Sequence, residues 1–309
     1  MKHFINLKDI PAKDLRKIII DAKKRKSSRK KLNNLEIDKG APLKGELLIQ
    51  MFEKSSLRTR LSFYLAIKQL GGSTLTLRPD ELHFSKGGES IEDTAKILSN
   101  FGNAFMLRTD SDKKLEEFKK YLSIPIINGL SPTSHATQIL SDVFTIEEIK
   151  KKSISKLNIS WIGDSNNVLN SLIEASIKFS FKLNIGCPKK YQPNKNILDY
   201  IKNNKNKISL YNDAKKAALG ADVIFSDKVI SMNDKVDKIK KLNHFIKFKI
   251  DKKLMSFAKK DCIFLHCLPR GKEVDEKVFS SKQSKVWQQA LNRVHVQKSI
   301  LLYCFGKLR

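Results

Sequence analysis

The chain has 309 residues, 40% of them hydrophobic, which is enough for two globular domains that each bury a core of their own. Its 60 basic and 32 acidic residues give a formal net charge of +28, which is compatible with a nucleic-acid partner. The four cysteines form no C-x-x-C pair, so the sequence predicts neither a disulfide framework nor a zinc ribbon. No apolar run reaches the roughly 20 residues of a membrane helix, and the amino terminus lacks the apolar core of a secretory signal. We therefore expect a cytoplasmic protein.

The first half of the chain alternates short apolar runs with amphipathic segments after a basic helix at about 12–31. Strands are predicted at 47–52, 73–77, 104–107 and 125–128. Helices are predicted between them at 59–70, 91–101 and 113–122. This alternation predicts a parallel sheet covered by helices on both faces. A helix at 136–150 then leads to the lysine-rich stretch 150–153, which is a candidate domain boundary.

The same pattern begins again after that boundary. Strands are predicted at 157–162, 182–185, 208–211, 222–225 and 262–266. Helices are predicted at 168–179, 196–202, 213–219, 252–258 and 288–303. The predicted fold class is α/β, with two doubly wound domains at 1–148 and 149–287, each a parallel sheet flanked by helices, and with linking interdomain helices. The C-terminal segment 288–309 is expected to pack on the first domain.

The distribution of basic residues argues against a nucleic-acid site. Only ten of the 60 are arginine, and the lysines are scattered from Lys8 to Lys307 without aromatic residues interleaved. A solvated, lysine-rich surface is the favoured interpretation, and a basic nucleic-acid-binding protein is the alternative from a different class. Because a planar guanidinium can hold phosphate or carboxylate through two bonds, the scarce arginines mark positions of interest. These are Arg58, Arg60, Arg108, Arg270 and Arg293, and no arginine lies between Arg108 and Arg270.

The most informative segment is Phe52-Glu53-Lys54-Ser55-Ser56-Leu57-Arg58-Thr59-Arg60, where a strand gives way to a helix. Ser55 or Ser56 is expected to cap that helix, which places Ser56, Arg58 and Thr59 at its first turn. Unpaired backbone N–H groups and the helix dipole favour an anion at this position. An ordinary helix cap with exposed arginines is the alternative for this segment taken alone.

Other polar side chains follow strands of the first predicted sheet. Arg108 ends the strand at 104–107, at the sheet edge where doubly wound folds bind ligands. His135 and Gln138 lie three residues apart at the start of a helix, so both can face one ligand.

The second predicted sheet has its own polar strand ends. Gly163-Asp164-Ser165-Asn166-Asn167 follows its first strand, and Asp227 follows another strand with Ser231 four residues further on. The strand at 262–266 continues into Cys267-Leu268-Pro269. Taken alone, Cys267 is typical of a small buried hydrophobic residue.

Together these segments resemble the aspartate/ornithine carbamoyltransferase family over nearly the whole chain. Ser56-Leu57-Arg58-Thr59 resembles its S-T-R-T motif, His135 to Gln138 its H-P-x-Q motif, and Asn292-Arg293 its late arginine. His266-Cys267-Leu268-Pro269 matches the H-C-L-P motif of the ornithine-specific branch, and Ser231-Met232-Asn233 resembles the S-M-G motif of that branch. The resemblance implies transfer of the carbamoyl group from carbamoyl phosphate to the δ-amine of L-ornithine, giving L-citrulline and phosphate in arginine metabolism.

The resemblance also implies residue roles for the carbamoyl donor. The residues implied to bind carbamoyl phosphate are Ser56, Leu57, Arg58, Thr59, His83, Arg108, His135, Gln138, Cys267, Leu268 and Arg293. Thr59, Arg108 and His135 are expected to act catalytically, as donors to the negative charge that builds on the carbonyl oxygen. Gln138 and the backbone carbonyls of Cys267 and Leu268 are expected to hold the carbamoyl NH2.

For the amine, the resemblance implies binding by the second domain. Asp227 is expected to pair with the α-ammonium of ornithine, while Asn167 and the Ser231-Met232 segment hold the α-carboxylate. Cys267 is expected to be catalytic through orienting the δ-amine and handling its proton, without a covalent intermediate. The leaving phosphate can take that proton, so no dedicated base is expected.

His83 lies in a loop that, in the family, reaches into the active site of a neighbouring subunit. The resemblance therefore implies a homotrimer with shared active sites. It implies no cofactor, no metal, no nucleic-acid partner and no membrane partner.

The chain departs from the family motifs at Leu57, Ala136 and Asn233, where threonine, proline and glycine are usual. Leu57 spares the backbone N–H groups of the helix start, and asparagine tolerates a left-handed turn. An aspartate-specific enzyme calls for guanidinium groups in the second domain, which the arginine gap argues against. A putrescine-type enzyme has no use for Asp227 or Ser231, and an N-acylated ornithine is a further alternative amine.

Overall fold

The computed structural model describes residues 1–78, 88–204, 207–230 and 237–308. It divides into two compact units: unit 1 comprises Met1–Phe144 with Leu291–Arg309, and unit 2 comprises Thr145–Ala290. Within the described ranges, no helix is both long enough and apolar enough to cross a membrane. The predicted site residues His83, Ser231 and Met232, and the Asn233 departure, lie outside the described residues.

Unit 1 is built on a parallel sheet, and the part that the structure describes has four strands in the order β2-β1-β3-β4. The strands are β1 (Leu47–Phe52), β2 (Ser73–Leu77), β3 (Ala104–Arg108) and β4 (Ile126–Leu130). The chain winds outward from β1 to β2 and then returns to the other side of β1 as β3. The point where the winding reverses therefore lies between β1 and β3, whose last residues Phe52 and Arg108 pair directly. Ligands of doubly wound sheets bind at such a point.

Ser56, Ser90 and Ser111 each cap a helix of unit 1 by accepting a backbone hydrogen bond. The helices are α1 (Ala12–Ser28), α2 (Leu57–Gln69), α3 (Ile91–Phe101), α4 (Asp112–Tyr121) and α5 (Ala136–Lys150), with α12 (Val286–Cys304), which begins in the last residues of unit 2. Ser90 accepts from the backbone N–H of Asp93, and Ser111 from that of Lys114, each at 3.1 Å. Such caps fix where a helix starts. Phe105 of β3 packs on Phe118 of α4 with ring centroids 5.2 Å apart, inside the core.

Unit 2 repeats this architecture. Its described strands form a five-stranded parallel sheet in the order β7-β6-β5-β8-β9. They are β5 (Asn158–Ile162), β6 (Lys182–Gly186), β7 (Ile208–Tyr211), β8 (Val223–Ser226) and β9 (Ile263–His266). The winding reverses between β5 and β8, which pair through Trp161 and Phe225. The prediction of two doubly wound α/β domains is confirmed.

The remaining helices of unit 2 include two that the sequence analysis missed. The helices are α6 (Asn167–Phe179), α7 (Lys195–Lys202), α8 (Ala214–Ala218), α9 (Lys238–Phe245), α10 (Lys252–Met255) and α11 (Glu276–Phe279). The missed ones are α9 and α11. Helix α9 is rich in lysine and buries only Lys241 and Phe245, and α11 is a single turn, so neither has a clear apolar stripe.

Candidate active site

The turn after β1 has the geometry of an anion site. Ser56 has extended backbone angles and caps α2, because its Oγ accepts from the N–H of Thr59 at 3.4 Å. The first N–H groups of a helix have no intrahelical acceptor, and the helix dipole adds positive potential there. The side chain of Leu57, at the position where the family motif has threonine, is 71% exposed.

Positive charge surrounds His135, which follows β4 and is buried. The pKa of His135 lies well below its usual value because burial disfavours the imidazolium, and Arg293, Arg108 and Arg58 repel a proton in that order of effect. His135 is therefore neutral and can present one N–H donor and one acceptor. Three guanidiniums near a single neutral imidazole form a strongly positive environment that suits a multiply charged anion.

Arg293 connects α12 to α2 and α5 through side-chain hydrogen bonds. Its Nη2 donates to Oγ1 of Thr59 at 2.9 Å, and its Nη1 donates to Oε1 of Gln138. Nε2 of Gln138 donates in turn to Oδ1 of Asp142 at 2.8 Å. Thr59, Gln138 and Arg293 are all buried. The contacts join α2, α5 and α12, so the sequence-distant Arg293 reaches the same place as the Ser56 turn.

Glu53 is a residue of this region that the sequence analysis did not single out. Its N–H donates to the carbonyl of Arg108 at 3.0 Å, and its Oε2 accepts from the hydroxyl of Thr109 at 2.5 Å. Its Oε1 accepts from Nζ of Lys114. Glu53 therefore fixes the start of the Ser56 turn to the end of β3, where Arg108 lies. One sequence signal could have identified Glu53. It is a carboxylate directly after a strand, next to residue types that bind phosphate.

A second cluster lies at the corresponding strand ends of unit 2. Asp227 accepts from Cys267 through Oδ1, with Sγ at 2.8 Å, and from Nδ2 of Asn166 through Oδ2 at 2.9 Å. Oδ1 of Asn166 also caps α6 by accepting from the N–H groups of Val168 and Leu169 at 3.0 and 3.1 Å. The sequence predicted Asp227 and Cys267 but only the general position of Asn166. Asn167 is the first residue of α6, next to this cap.

The backbone after β9 is held by a buried histidine. Nδ1 of His266 accepts from the N–H of Leu268 at 2.9 Å, so its Nε2 carries the proton and donates to Oε1 of Glu273 at 3.1 Å. Burial alone would raise the pKa of Glu273, but hydrogen bonds from His266 and from the N–H of Gly271 hold it below its usual value. Leu268 has a positive φ of 59°, which this network supports. The hydrogen bonds of His266 and Glu273 therefore hold the turn that carries Cys267 in place.

Not every scarce arginine belongs to these clusters. Arg270 pairs with Glu276 at 2.5 Å, and its guanidinium lies 4.0 Å from the centre of the Phe279 ring. Arg60 is exposed on α2. Among the residues that the structure describes, no group of three or more histidine, cysteine, aspartate or glutamate side chains could hold a metal ion.

Comparisons with known proteins match nearly the whole chain. The family model described as the carbamoyl-P binding domain of aspartate/ornithine carbamoyltransferase matches residues 2–148, and the one described as the Asp/Orn binding domain matches residues 155–304. The ornithine carbamoyltransferase of Agrobacterium fabrum is 39% identical over 307 residues, covering 99% of this chain and 98% of the relative. That of Caulobacter vibrioides is 40% identical over 309 residues, covering 99% and 98%.

Solved structures give the same result. The ornithine carbamoyltransferase of Pyrococcus furiosus superposes with a TM-score of 0.91 at 35% identity, covering 99% of this chain and 97% of that one. The anabolic ornithine carbamoyltransferase of Campylobacter jejuni gives a TM-score of 0.89 at 35% identity, covering 99% and 100%. With two family models and full-length relatives in agreement, the chain belongs to the aspartate/ornithine carbamoyltransferase family.

Proposed function

We propose that the chain is an ornithine carbamoyltransferase, which transfers the carbamoyl group of carbamoyl phosphate to the δ-amine of L-ornithine and releases L-citrulline and phosphate. The observation that carries the choice of amine is the contact of Asp227 with Cys267 in unit 2. The one arginine in the sequence of unit 2, Arg270, is occupied by Glu276 and Phe279. A carboxylate without a nearby guanidinium suits an amine substrate with an α-ammonium and disfavours aspartate.

We assign the carbamoyl donor to unit 1. Ser56, Arg58, Thr59 and the free N–H groups of α2, including that of Leu57, bind the phosphate, and Arg108 bridges the phosphate and the carbonyl oxygen. His135, being neutral, donates to the same oxygen without adding charge. Each donor that faces the developing oxyanion contributes about 3 kcal/mol to transition-state stabilisation.

The orientation of Gln138 fits a role toward the carbamoyl NH2. Its carbonyl oxygen already accepts from Arg293, and an amide oxygen has a second lone pair that remains for the substrate. Arg293 in turn fixes Thr59, so the two residues hold the donor end of the substrate as one unit. The contacts of His83 and of the backbone carbonyls of Cys267 and Leu268 with carbamoyl phosphate stay predictions.

We assign the amine to unit 2. Asp227 pairs with the α-ammonium, and Asn166 fixes the carboxylate in place through its own hydrogen bond. Cys267 orients the δ-amine, which must lose a proton before it attacks the carbonyl carbon. With that first proton lost to solvent, the neutral amine forms the C–N bond. The C–O bond to phosphate then breaks, and the leaving phosphate takes the second proton from the attacking nitrogen. Roles for Asn167, Ser231 and Met232 at the α-carboxylate stay predictions.

We also propose the homotrimer that the resemblance implies. Unit 1 exposes apolar side chains at Leu57, Leu61 and Tyr64, which follow one face of α2. Leu57 is 71% exposed, and an exposed apolar stripe of this kind is typical of a subunit interface. Light scattering of the purified protein should give the mass of a trimer, and a double change Leu61→Glu with Tyr64→Glu should lower it. An unchanged mass would remove this face from the interface.

The assignment is tested by an amine panel. Purified protein is incubated with carbamoyl phosphate and, in turn, L-ornithine, N-acetyl-L-ornithine, putrescine or L-aspartate, and the carbamoylated product and phosphate are measured. We expect L-citrulline with ornithine at a kcat/KM at least about 100-fold above every other amine. Preference for another amine would replace the ornithine assignment, and inactivity with all four would refute it. A cytoplasmic location and a role in arginine metabolism stay predictions.

A further inference from the structure

Unit 2 contains a cavity of about 370 Å³ with lysines on several sides. Lys252 opens α10, Lys259 and Lys260 precede β9, and Lys277 lies in α11. Small-molecule sites in proteins have volumes of roughly 300 to 1,000 Å³, so the cavity is large enough for a ligand. Lysines that are separated in the sequence converge here.

Most of this positive charge is not neutralised by the protein. Nζ of Lys259 pairs with Oδ1 of Asp222 at 2.8 Å. Within the ranges that the structure describes, no ion pair engages Lys252, Lys260 or Lys277, and no carboxylate lines the cavity. Of the carboxylates nearest in sequence, Asp251 caps α10 by accepting from the N–H of Leu254 at 2.7 Å. The others contact basic groups outside the cavity, in the pairs Asp261–Lys150, Asp275–Lys249 and Glu276–Arg270.

The rest of the lining adds hydroxyl groups and an apolar surface. The hydroxyls of Ser256 and Ser281 now donate to the backbone carbonyls of Lys253 and Val278, each at 2.7 Å, and a hydroxyl can rotate toward an anion that enters. Met255 and Val278 provide buried apolar side chains at the same cavity. Charge, hydroxyl donors and an apolar surface together suit a phosphate chain, with or without an organic group attached.

The cavity is distinct from the amine cluster of the same unit. Strand β9 runs from Ile263 to His266, with Cys267 after its carboxyl end and Lys260 before its amino end. At about 3.3 Å per residue, the three steps from Ile263 to His266 separate the two ends of the strand by roughly 10 Å. The lysines at 259 and 260 therefore lie at the sheet edge opposite to Asp227 and Cys267.

We propose that this cavity is a second anion site, which binds a di- or triphosphate group from an inorganic oligophosphate or a nucleotide. Lysine ammonium groups are compact charges that bind phosphate without demanding one fixed geometry. The uncommitted charges of Lys252, Lys260 and Lys277 balance much of the charge of a triphosphate. The site is separate from carbamoyl transfer and serves a different ligand.

Calorimetric titration of the full-length protein with tripolyphosphate, and separately with ATP, tests this site. Phosphonoacetamide, a stable analogue with the phosphonate and carbonyl of carbamoyl phosphate, is kept at saturation to occupy the proposed donor site. We expect one ligand per chain, weakened roughly tenfold or more by Lys252→Gln with Lys277→Gln. The matched control is Lys253→Gln with Lys282→Gln, which changes neighbouring exposed lysines outside the cavity lining and should alter affinity less than about twofold.

The two ligands separate the two sources of phosphate. Equal affinities support recognition of the phosphate chain alone, and tighter binding of ATP supports a nucleotide whose base rests on Met255 and Val278. Equal weakening by the test and control variants would assign the binding to the net charge of +28 and overturn the proposal. Absence of saturable binding would also overturn it.

A short DNA duplex serves as the competing macromolecule. If the duplex binds more tightly than tripolyphosphate and loses affinity through Lys252 and Lys277, the face is a nucleic-acid surface and the small-ligand proposal is wrong. Thermal unfolding of each variant checks that the fold is retained. Citrulline formation, measured in the same preparations, keeps a failure of this site distinct from a failure of the proposed enzyme.

Discussion

The polar clusters of the two units carry opposite charge. Unit 1 brings Arg58, Arg108 and Arg293 close to the buried, neutral His135, so its cluster attracts an anion. The cluster of unit 2 centres instead on the carboxylate of Asp227, bonded to Cys267. Similar doubly wound sheets thus present opposite charge at their carboxyl-terminal edges. The difference teaches that the same architecture places polar side chains at the same edge, while the residue types at the strand ends set the charge of the ligand that each edge suits.

The largest effect is expected for Arg58→Ala, which removes a guanidinium from the anion cluster of unit 1. We expect kcat/KM for carbamoyl phosphate to fall about 1,000-fold, because a charge-assisted contact to the reacting group is lost. The apparent KM for ornithine should change less than about threefold. Arg60→Ala is the matched control, since Arg60 lies two residues further on and is exposed. Steady-state kinetics that find equal losses for both variants would contradict the special role of Arg58.

Asp227→Asn tests the carboxylate at the centre of the unit 2 cluster. The change keeps the shape of the side chain but removes the charge that we propose attracts the α-ammonium, so kcat/KM for ornithine should fall about 100-fold. The apparent affinity for carbamoyl phosphate should stay within about threefold. Asp213→Asn is the control, because Asp213 is an exposed helix cap that asparagine can replace. If Asp227→Asn weakened use of both substrates equally, the division of roles between the units would be wrong.

Glu53→Gln tests whether the Glu53 carboxylate holds the Ser56 turn of unit 1 in place. Loss of the charge that holds Lys114 and Thr109 should loosen the Ser56 turn and raise the KM for carbamoyl phosphate roughly tenfold, with ornithine affected far less. Asp110→Asn is the control, since Asp110 is exposed and pairs only with Lys54 at 3.5 Å among the described residues. A double-mutant cycle with Lys114→Met should show strong coupling to Glu53. Additive effects would mean that Glu53 acts without Lys114.

The smallest effect on activity is expected at Lys298, which is buried in unit 1 and pairs with Asp38 at 2.9 Å. Burial lowers the pKa of Lys298 to about 8, from an ordinary value of 10.5, although Asp38 acts in the opposite direction. Between about pH 8 and 10.5 the folded state therefore binds fewer protons than the unfolded state. The free energy of unfolding should rise across this range, by up to roughly 3 kcal/mol.

Denaturant unfolding at several pH values checks this expectation. Lys298→Met should abolish the rise, because the titrating group is gone. Lys307→Met is the control, since Lys307 forms a more exposed pair with Glu46 at 2.6 Å and should leave the rise intact. Persistence of the full rise in Lys298→Met would show that another group titrates. Citrulline formation at neutral pH should be unchanged in both variants.

Much of this account was accessible from the sequence because the signals are local. Ser56 has the residue type and position of a helix cap, and the strand at β1 is a compact apolar run. The family prediction is likewise confirmed, since its motifs are short contiguous segments. Helix α9 escaped prediction because its burial rests on Lys241 and Phe245 rather than on an apolar stripe. The individual roles of the site residues stay predictions.

The sequence by itself determined the alternation of strands and helices, the repetition of that pattern after Lys150, and the residue types of both clusters, because each depends on near neighbours in the chain. Only the tertiary structure decided that Arg293 meets Thr59 and Gln138, and that Asp227 is held by Asn166 and Cys267. Such contacts join segments far apart in the sequence, and sheet order and helix packing, which are cooperative properties of the whole fold, set their distances.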